Sequence, residues 1–177
     1  MAFLKAIAVL TSALALVQGS RAPEYQVKAV FLFNFAQFVE WHAPADAEAR
    51  RAVVIGILGD DPFGAILDAT LRGERLGARP FEVRRYRQWR DIDGCEILFI
   101  SRSERDQIGE IVTGLRNRPI LTVSDTDDFA RRGGMIQLVT DKGRIRLRIN
   151  LDAAQAANLT ISSKLLRVAE IVRSSKR

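Results

Sequence analysis

Three short apolar runs constrain the fold of this chain more than any other feature of its sequence. Residues 53–58, 96–100 and 120–123 each have the length of a β-strand. The first run is apolar throughout, which is typical of a parallel strand with both faces covered. Segments with helical spacing lie between the runs. This alternation predicts an α/β fold in which helices flank a mainly parallel sheet through right-handed crossovers.

The remaining segments fit the same architecture. Helical spacing or a helix-start signal predicts four helices, over residues 24–41, 63–71, 103–115 and, briefly, 125–132. Residues 81–86 alternate between apolar and polar side chains, as in a half-exposed strand. Asp61 is expected to be an N-cap, with Pro62 at the first helical position. Residues 44–51 are expected to form an exposed loop.

The last third of the chain predicts a hairpin followed by a helix. Residues 144–151 alternate apolar and polar side chains, and residues 135–139 supply the partner strand. The solvent-facing side of this hairpin carries Arg144, Arg146 and Arg148. Apolar residues recur at helical spacing over residues 161–172, which predicts an amphipathic closing helix. The hairpin is expected to add an antiparallel edge to the sheet.

Residues 1–19 have the pattern of a secretory signal peptide. Lys5 gives a positive start, residues 6–17 form a short apolar stretch, and cleavage is expected after Gly19. Cleavage after Ala22 is disfavoured because Pro23 follows it. The stretch is short for a retained membrane anchor, and no cysteine near the cut would carry a lipid. We therefore expect a periplasmic protein whose mature part, residues 20–177, is one domain.

Positive charge is spread along the chain and is not gathered in one patch. The full sequence carries a formal net charge of +6, which falls to +5 when Lys5 leaves with the signal peptide. The basic residues have no interleaved aromatic platforms, and export separates the protein from the genome. Both points argue against nucleic acid as a partner. An acidic protein or lipid surface is the better expectation.

The sequence lacks a set of residues that would form an enzyme active site. His42 is the single histidine and Cys95 the single cysteine, so neither a clustered metal-ligand set nor an intrachain disulfide is available. Cys95 begins an apolar strand, where we expect a small buried side chain. His42 lies near a helix end, where a capping or surface role is expected. We therefore expect a protein that is not an enzyme and needs no metal or other cofactor.

Polar residues follow several of the predicted parallel strands, at the edge where doubly wound sheets bind ligands. They form a candidate ligand site: Gly59, Asp60, Asp61, Ser101, Ser124 and Asp125. Asp60 and Asp61 are similar to the acidic pocket of a phosphorylated receiver domain, but Ser101 stands where a receiver needs its aspartate. The alternative is that these residues only cap strand-to-helix turns.

Several segments, taken in order, resemble the YfiR family of exported regulatory proteins. They are residues 25–29 with the phenylalanines of 31–38 and Trp41, then residues 55–63, 95–101, 120–125, 133–136, 148–151 and 159–166. Each segment alone is a weak signal. Their order and spacing extend over essentially the whole mature chain, which makes the set fairly specific.

The resemblance implies a periplasmic, non-enzymatic α/β domain that binds the periplasmic part of an inner-membrane diguanylate cyclase and represses it. It also implies that an OmpA-like outer-membrane lipoprotein sequesters the repressor, and that the domain forms a homodimer. The well-studied type has disulfides. Cys95 matches one of their cysteines, and the other cysteines are absent here. Control by an intrachain disulfide is therefore not expected, which leaves only an intermolecular bridge through Cys95.

Charge and position indicate where a partner would bind. Arg144, Arg146 and Arg148 would meet an acidic patch, and apolar residues around Leu151 and Leu159 would supply the anchor. Two other functions stay open at this point. One is a periplasmic small-ligand sensor that uses the candidate ligand site, and the other is a structural envelope protein without a cyclase partner.

Overall fold

The computed structural model of the chain describes residues 21–42 and 52–174. Its strands are β1 (Val39–Trp41), β2 (Val53–Leu58), β3 (Arg75–Leu76), β4 (Arg79–Tyr86), β5 (Ile97–Ile100), β6 (Leu121–Ser124), β7 (Ile136–Asp141), β8 (Arg144–Asn150), β9 (Leu159–Ile161) and β10 (Ala169–Val172). Its helices are α1 (Arg21–Phe38), α2 (Ala65–Leu71), α3 (Ile108–Gly114), α4 (Leu151–Ala156) and α5 (Ser163–Leu166). The predicted signal peptide and the expected loop 44–51 lie outside the described residues.

Eight of the described strands form one mixed sheet in the order β10-β8-β7-β6-β5-β2-β4-β3. The five strands from β4 to β7 in this order are mutually parallel. β8 runs antiparallel to β7 and completes the predicted hairpin. β1 and β9 pair with each other in a separate antiparallel ladder. This arrangement confirms the predicted α/β fold, with a mainly parallel sheet, flanking helices and a C-terminal hairpin.

Alternating side chains of the central strands build two cores, one on each face of the sheet. On the face that α1 covers, Ile55 and Phe99 pack with Phe35, and all three are fully buried. On the face that α3 covers, Leu98 packs with Ile111, and both are again fully buried. Full burial of one such side chain contributes about 1.5–3 kcal/mol relative to exposure. These two cores hold together a fold whose single cysteine is free.

The α3 side of the sheet is uncovered near the tip of the β7–β8 hairpin. Leu147 and Ile149 belong to the core under α1, so alternation places the arginines of β8 on the opposite side. Arg144 and Arg146 are exposed there, and Arg148 is half-buried. We call the surface that these three arginines define the arginine face. The predicted solvent-facing side of the hairpin is confirmed.

The C-terminal segment differs from the amphipathic helix predicted over residues 161–172. Only α5 is helical, whereas Ile161 ends β9 and residues 169–172 form β10, which pairs in parallel with β8. The β-branched side chains of Ile171 and Val172 favour a strand. The apolar residues of the predicted stripe are thus divided among three elements, and Val168 is 72% exposed. β10, and not the hairpin, forms this edge of the sheet.

The other helices are shorter than the sequence predicts. α1 ends at Phe38 because the next three residues pair with β9. α2 begins at Ala65, and α3 begins only at Ile108, after a 3₁₀ turn at Arg102–Glu104. Residues 125–132 form hydrogen-bonded turns without a helix. Within them Asp128 has a φ of 56°, a left-handed conformation that interrupts helical geometry.

Candidate functional site

The six residues predicted to bind a ligand lie at one edge of the sheet. Residues 59–61 follow β2, Ser101 follows β5, and Ser124 and Asp125 lie at the end of β6. Since these strands are parallel neighbours, their carboxyl ends share this edge. Gly59 has a φ of 84°, and a Cβ there would be 2.3 Å from Ser103 Oγ. The turns after β2 and β5 are therefore in direct contact.

Both serines use their hydroxyl groups within the protein. Ser124 is fully buried, and its Oγ donates to the Ile100 carbonyl at 2.7 Å and accepts from the Thr126 N–H at 3.1 Å. Ser101 is 5% exposed, and its Oγ accepts a long hydrogen bond from the Ser103 N–H at 3.4 Å. These contacts join adjacent strands and turns, in keeping with the capping alternative.

The carboxylates of Asp60 and Asp61 have different surroundings. Asp61 Oδ1 accepts hydrogen bonds from the N–H groups of Phe63 at 2.8 Å and Gly64 at 3.1 Å. Its other oxygen accepts from Arg85 Nε on β4 at 2.8 Å. Asp60 is exposed, and its backbone N–H donates to Ser103 Oγ at 3.0 Å. Asp61 therefore caps the turn before α2, but the N-cap of the helix itself is Gly64, so the prediction of Asp61 as N-cap with Pro62 at the first helical position is wrong.

A buried charge cluster surrounds Asp125. Lys28 Nζ lies 2.5 Å from Asp125 Oδ2 and 2.5 Å from Glu24 Oε1. Tyr25 donates its hydroxyl to Asp125 Oδ2 at 2.8 Å, and Arg102 Nε lies 3.2 Å from Asp125 Oδ1. Lys28 is 0% exposed and Asp125 is 2% exposed. We call these five residues the Lys28 cluster.

The Lys28 cluster balances two cations against two carboxylates. Burial raises the pKa of the Glu24 carboxyl, but hydrogen bonds from Lys28 and Thr140 outweigh burial and hold that pKa below its ordinary value. Burial, together with the charge of Asp125, raises the pKa of Tyr25, so the phenol keeps its proton and donates. Removal of one ion would leave its partner buried without compensation. The cluster therefore acts as a unit that fastens α1 to the carboxyl edge.

Sequence reasoning identified Asp125 but missed its partners. Glu24 and Lys28 are four residues apart on α1, and a search for ion pairs at this helical spacing would have found them. The contact between Lys28 and Asp125 joins residues 97 positions apart, and no local pattern marks it. As a result, α1 itself occupies part of the edge at which a ligand was predicted to bind.

A cleft lies at the opposite, amino edge of the sheet. Its volume is about 480 Å³, and its lining includes Trp41, Glu96 and Arg118. Trp41 Nε1 is shielded from solvent and has no hydrogen-bond partner among the described residues. Glu96 is engaged, because its Oε2 accepts from the Val54 N–H at 2.7 Å. No sequence pattern predicted a site here, since the residues come from separate strand ends.

Cys95 borders this cleft but is 6% exposed. Its thiol donates to the Ile97 carbonyl at 3.0 Å. Burial raises the pKa of the Cys95 thiol to about 12, so the thiol stays protonated at neutral pH and is a poor nucleophile. The predicted burial of Cys95 is confirmed.

The described part of the chain also bears on metal binding and membrane insertion. His42 is exposed, and its Nε2 lies 2.8 Å from Thr160 Oγ1. Within residues 21–42 and 52–174, no group of three His, Cys, Asp or Glu side chains could hold a metal ion. No helix in these two ranges is long and apolar enough to cross a bilayer.

A comparison with known protein families identifies the family of the chain. The profile of the YfiR/HmsC-like family matches residues 25–170, a range that holds the arginine face and all of the Lys28 cluster except Glu24. The chain belongs to the YfiR/HmsC-like family. The resemblance predicted from the sequence is thereby confirmed, although no curated protein matches the chain. The YfiR/HmsC-like family is regulatory and not catalytic, and membership indicates a regulator of cyclic-di-GMP signalling that acts with partner proteins.

In this YfiR/HmsC-like protein the residues predicted to contact a partner are three arginines and two leucines, and the arginines are the more accessible group. Arg146 Nε lies 2.9 Å from Asp141 Oδ2, and Arg148 Nε lies 2.9 Å from Glu170 Oε2, both at the surface. Arg144 is exposed and has no ion pair with a described residue.

The two leucines predicted as an apolar anchor are less accessible. Leu151 is half-buried at the start of α4. Leu159 is 2% exposed because β9 pairs with β1 and turns this side chain into the core under α1. The expectation of an exposed anchor at Leu159 is therefore wrong, and the arginines are the accessible part of the predicted surface.

Proposed function

We propose that the protein acts in the periplasm, after loss of residues 1–19, as a non-enzymatic repressor of an inner-membrane diguanylate cyclase. It binds the periplasmic part of the cyclase and lowers cyclic-di-GMP signalling. The signal-peptide pattern supports the location, and family membership supports regulation through a partner. The observation that carries the proposal is the arginine face, where Arg144 and Arg146 lie exposed on the surface of a strand.

Complementary charge gives this surface its selectivity. The side chains of Arg146 and Asp141 are 67% and 40% exposed, and an exposed pair of this kind adds little to stability. An acidic patch on a partner can therefore recruit Arg146 together with Arg144 at small cost to the fold. Charge attraction speeds association and weakens as the salt concentration rises.

Repression requires the protein to prefer the inactive state of the cyclase. A binder with equal affinity for the active and inactive states leaves their populations unchanged. To move the ratio of inactive to active cyclase from 1:99 to 99:1, the protein must bind the inactive state about 10⁴-fold more tightly. An OmpA-like outer-membrane lipoprotein that competes for the repressor would lower its free concentration and so release the cyclase.

Binding and signalling are tested together. Calorimetry measures the affinity of the mature protein, residues 20–177, for the periplasmic domain of a diguanylate cyclase encoded beside it. Cellular cyclic-di-GMP is compared between the parent strain and a deletion strain. Saturable binding and a rise in the dinucleotide on deletion are expected. Absence of both would contradict the proposal.

A pair of charge-reversal variants tests the arginine face. Arg144→Glu/Arg146→Glu keeps the contact between Arg148 and Glu170 and is expected to weaken binding about tenfold or more. Arg87→Glu/Arg116→Glu makes the same change in net charge at exposed positions after β4 and α3, and is expected to stay within about twofold. Equal losses in the two variants would mean that net charge, and not the arginine face, drives binding.

A small-ligand sensor is the second candidate function. The amino-edge cleft favours it more than the predicted carboxyl edge does, because Ser101, Ser124 and Asp125 already make contacts within the protein. A ligand bound beside Trp41 Nε1 would stabilise the fold and raise the melting temperature. Melting scans against a panel of small anions and zwitterions test this, with Trp41→Phe expected to reduce any shift. If no compound in the panel raised the melting temperature, the small-ligand sensor would be excluded as a function.

A further inference from the structure

The two outer strands of the eight-stranded sheet differ in how much backbone they offer. At one edge, β3 is two residues long and lies between Gly73 and Gly77, which both have positive φ. So short a strand gives another chain little to pair with. At the other edge, β10 is four residues long and continues the sheet beyond β8. The edge at β10 is therefore the better template for an added strand.

Apart from Glu170, β10 lacks the residues that usually protect an edge strand. It contains no proline, lysine or arginine, and no further described strand pairs with its outer side. Ile171 is 49% exposed, and Val168, just before the strand, is 72% exposed. The one charged residue of β10, Glu170, is engaged by Arg148 Nε at 2.9 Å. Backbone groups and two apolar side chains are open to another chain.

Positive charge flanks this edge. Arg167 precedes β10 and Arg173 follows it, and both are exposed without an ion pair to a described residue. The edge also adjoins the arginine face, because Arg148 on β8 is directly beside Glu170 on β10. A chain laid along β10 would meet cations at both ends and on one side. Charge complementarity therefore favours an acidic chain.

We propose that an extended, acidic segment of the partner protein adds to β10 as a ninth strand of the sheet. This inference rests on the proposed function, because the partner is the periplasmic part of the cyclase. Backbone hydrogen bonds along β10 supply affinity, and side chains that meet Ile171, Arg167 and Arg173 supply selectivity. The added strand and the arginine face form one continuous contact surface.

Hydrogen exchange on the mature protein, with and without the periplasmic domain of the cyclase, tests the added strand. At saturating partner concentration, the outward amides of β10 are expected to exchange at about a tenth of their free rate or less. The amides of β3 are expected to keep their rates. Saturable binding with unchanged exchange in β10 would overturn this inference and leave the proposed function standing. Absence of binding would overturn both.

Two glutamate variants provide a matched comparison. Ile171→Glu places a negative charge on the edge strand, where it repels an acidic segment and opposes strand pairing. Val27→Glu makes the same change on α1, at a residue that is 47% exposed against 49% for Ile171. Partner affinity is expected to fall about tenfold in the first and to stay within about twofold in the second. Melting scans check that both variants fold.

The variants and the free protein can also contradict the inference. Equal affinities of Ile171→Glu and Val27→Glu for the partner would overturn it. Protection of β10 that grows with protein concentration, in the absence of partner, would identify a second copy as the occupant. That result would overturn the proposal that an acidic segment of the partner adds to β10.

Discussion

Lys28 and Asp125 form an ion pair, with 2.5 Å between Nζ and Oδ2, that joins α1 to the end of β6. Their side chains are 0% and 1% exposed. Desolvation of two buried ions offsets much of their attraction, so such a pair adds little net stability while it remains intact. Its main effect is on position, because it holds α1 against the end of β6.

Removal of Lys28 is expected to be costly. Lys28→Met leaves the buried Asp125 with Arg102 as its one remaining cation within the Lys28 cluster and Tyr25 as a neutral donor, and we expect the free energy of unfolding to fall by about 3–5 kcal/mol. Urea denaturation measures the change. Lys164→Met, at an exposed lysine of α5, is the control and is expected to change the free energy by about 0.5 kcal/mol or less. A loss below about 1 kcal/mol for Lys28→Met would contradict the buried pair.

Acid is expected to weaken the contribution of Glu24. The Glu24 pKa in the folded chain lies below its ordinary value of 4.5, because the hydrogen bonds from Lys28 and Thr140 outweigh burial. A carboxyl with a depressed folded pKa stabilises the fold above its unfolded pKa, and this stabilisation is lost as the pH falls through the folded value. The free energy of unfolding should therefore decrease below about pH 4.5 more steeply in the parent than in Glu24→Gln.

Urea denaturation at a series of acidic pH values measures these slopes. Glu40→Gln removes an exposed carboxyl that has no ion pair with a described residue. It should keep the slope of the parent. If Glu24→Gln also kept that slope, Glu24 would not be the titrating group.

The thiol of Cys95 is expected to resist modification. Because burial raises its pKa to about 12, iodoacetamide at mildly alkaline pH should react about 100-fold more slowly with the folded protein than with the protein in urea. Mass spectrometry follows the single thiol without interference. Oxidation of the folded protein should also give no disulfide-linked dimer. Rapid labelling or a linked dimer would show that the strand entrance opens.

Asn150 is expected to be important for stability because its amide serves two segments. Oδ1 accepts from the Ala153 N–H at 3.1 Å as the N-cap of α4, and Nδ2 donates to the Ala130 carbonyl at 2.8 Å. Asn150→Ala should cost about 2–4 kcal/mol, since it removes the cap and leaves the Ala130 carbonyl only the longer hydrogen bond from the Gly133 N–H at 3.3 Å. Ser162→Ala removes only a cap, from α5, and should cost about 0.5–2 kcal/mol in the same urea experiment. Equal costs would contradict the joining role of Asn150.

The sequence predicted the centre of the sheet better than its edge. β2 and β5 are covered on both faces, so each of their positions is apolar or glycine. A continuous run of this kind and length favours a buried strand. Ile171 and Val172 fit a helical stripe as well as a strand. The free edge of β8 decides between them, and that edge is a tertiary feature without a local signal.

The candidate site was predictable to a similar extent. The carboxyl ends of neighbouring parallel strands brought Ser101, Ser124 and Asp125 to one edge, as a rule of topology requires. That rule says nothing of what fills the edge. Lys28 does so from a helix far away in the sequence, which no composition or spacing could reveal.

The distance in sequence between Lys28 and Asp125 also has a consequence for the order of folding. The chain is synthesised from its amino end, so Glu24 precedes Lys28 but Asp125, its other counter-ion, appears only 97 residues later. The partner of β1 is synthesised later still, because β9 begins at Leu159. Contacts of such separation close late and slowly. Docking of α1 at the carboxyl edge can therefore be complete only once Asp125 is present, and the β1–β9 ladder only once residues 159–161 are present.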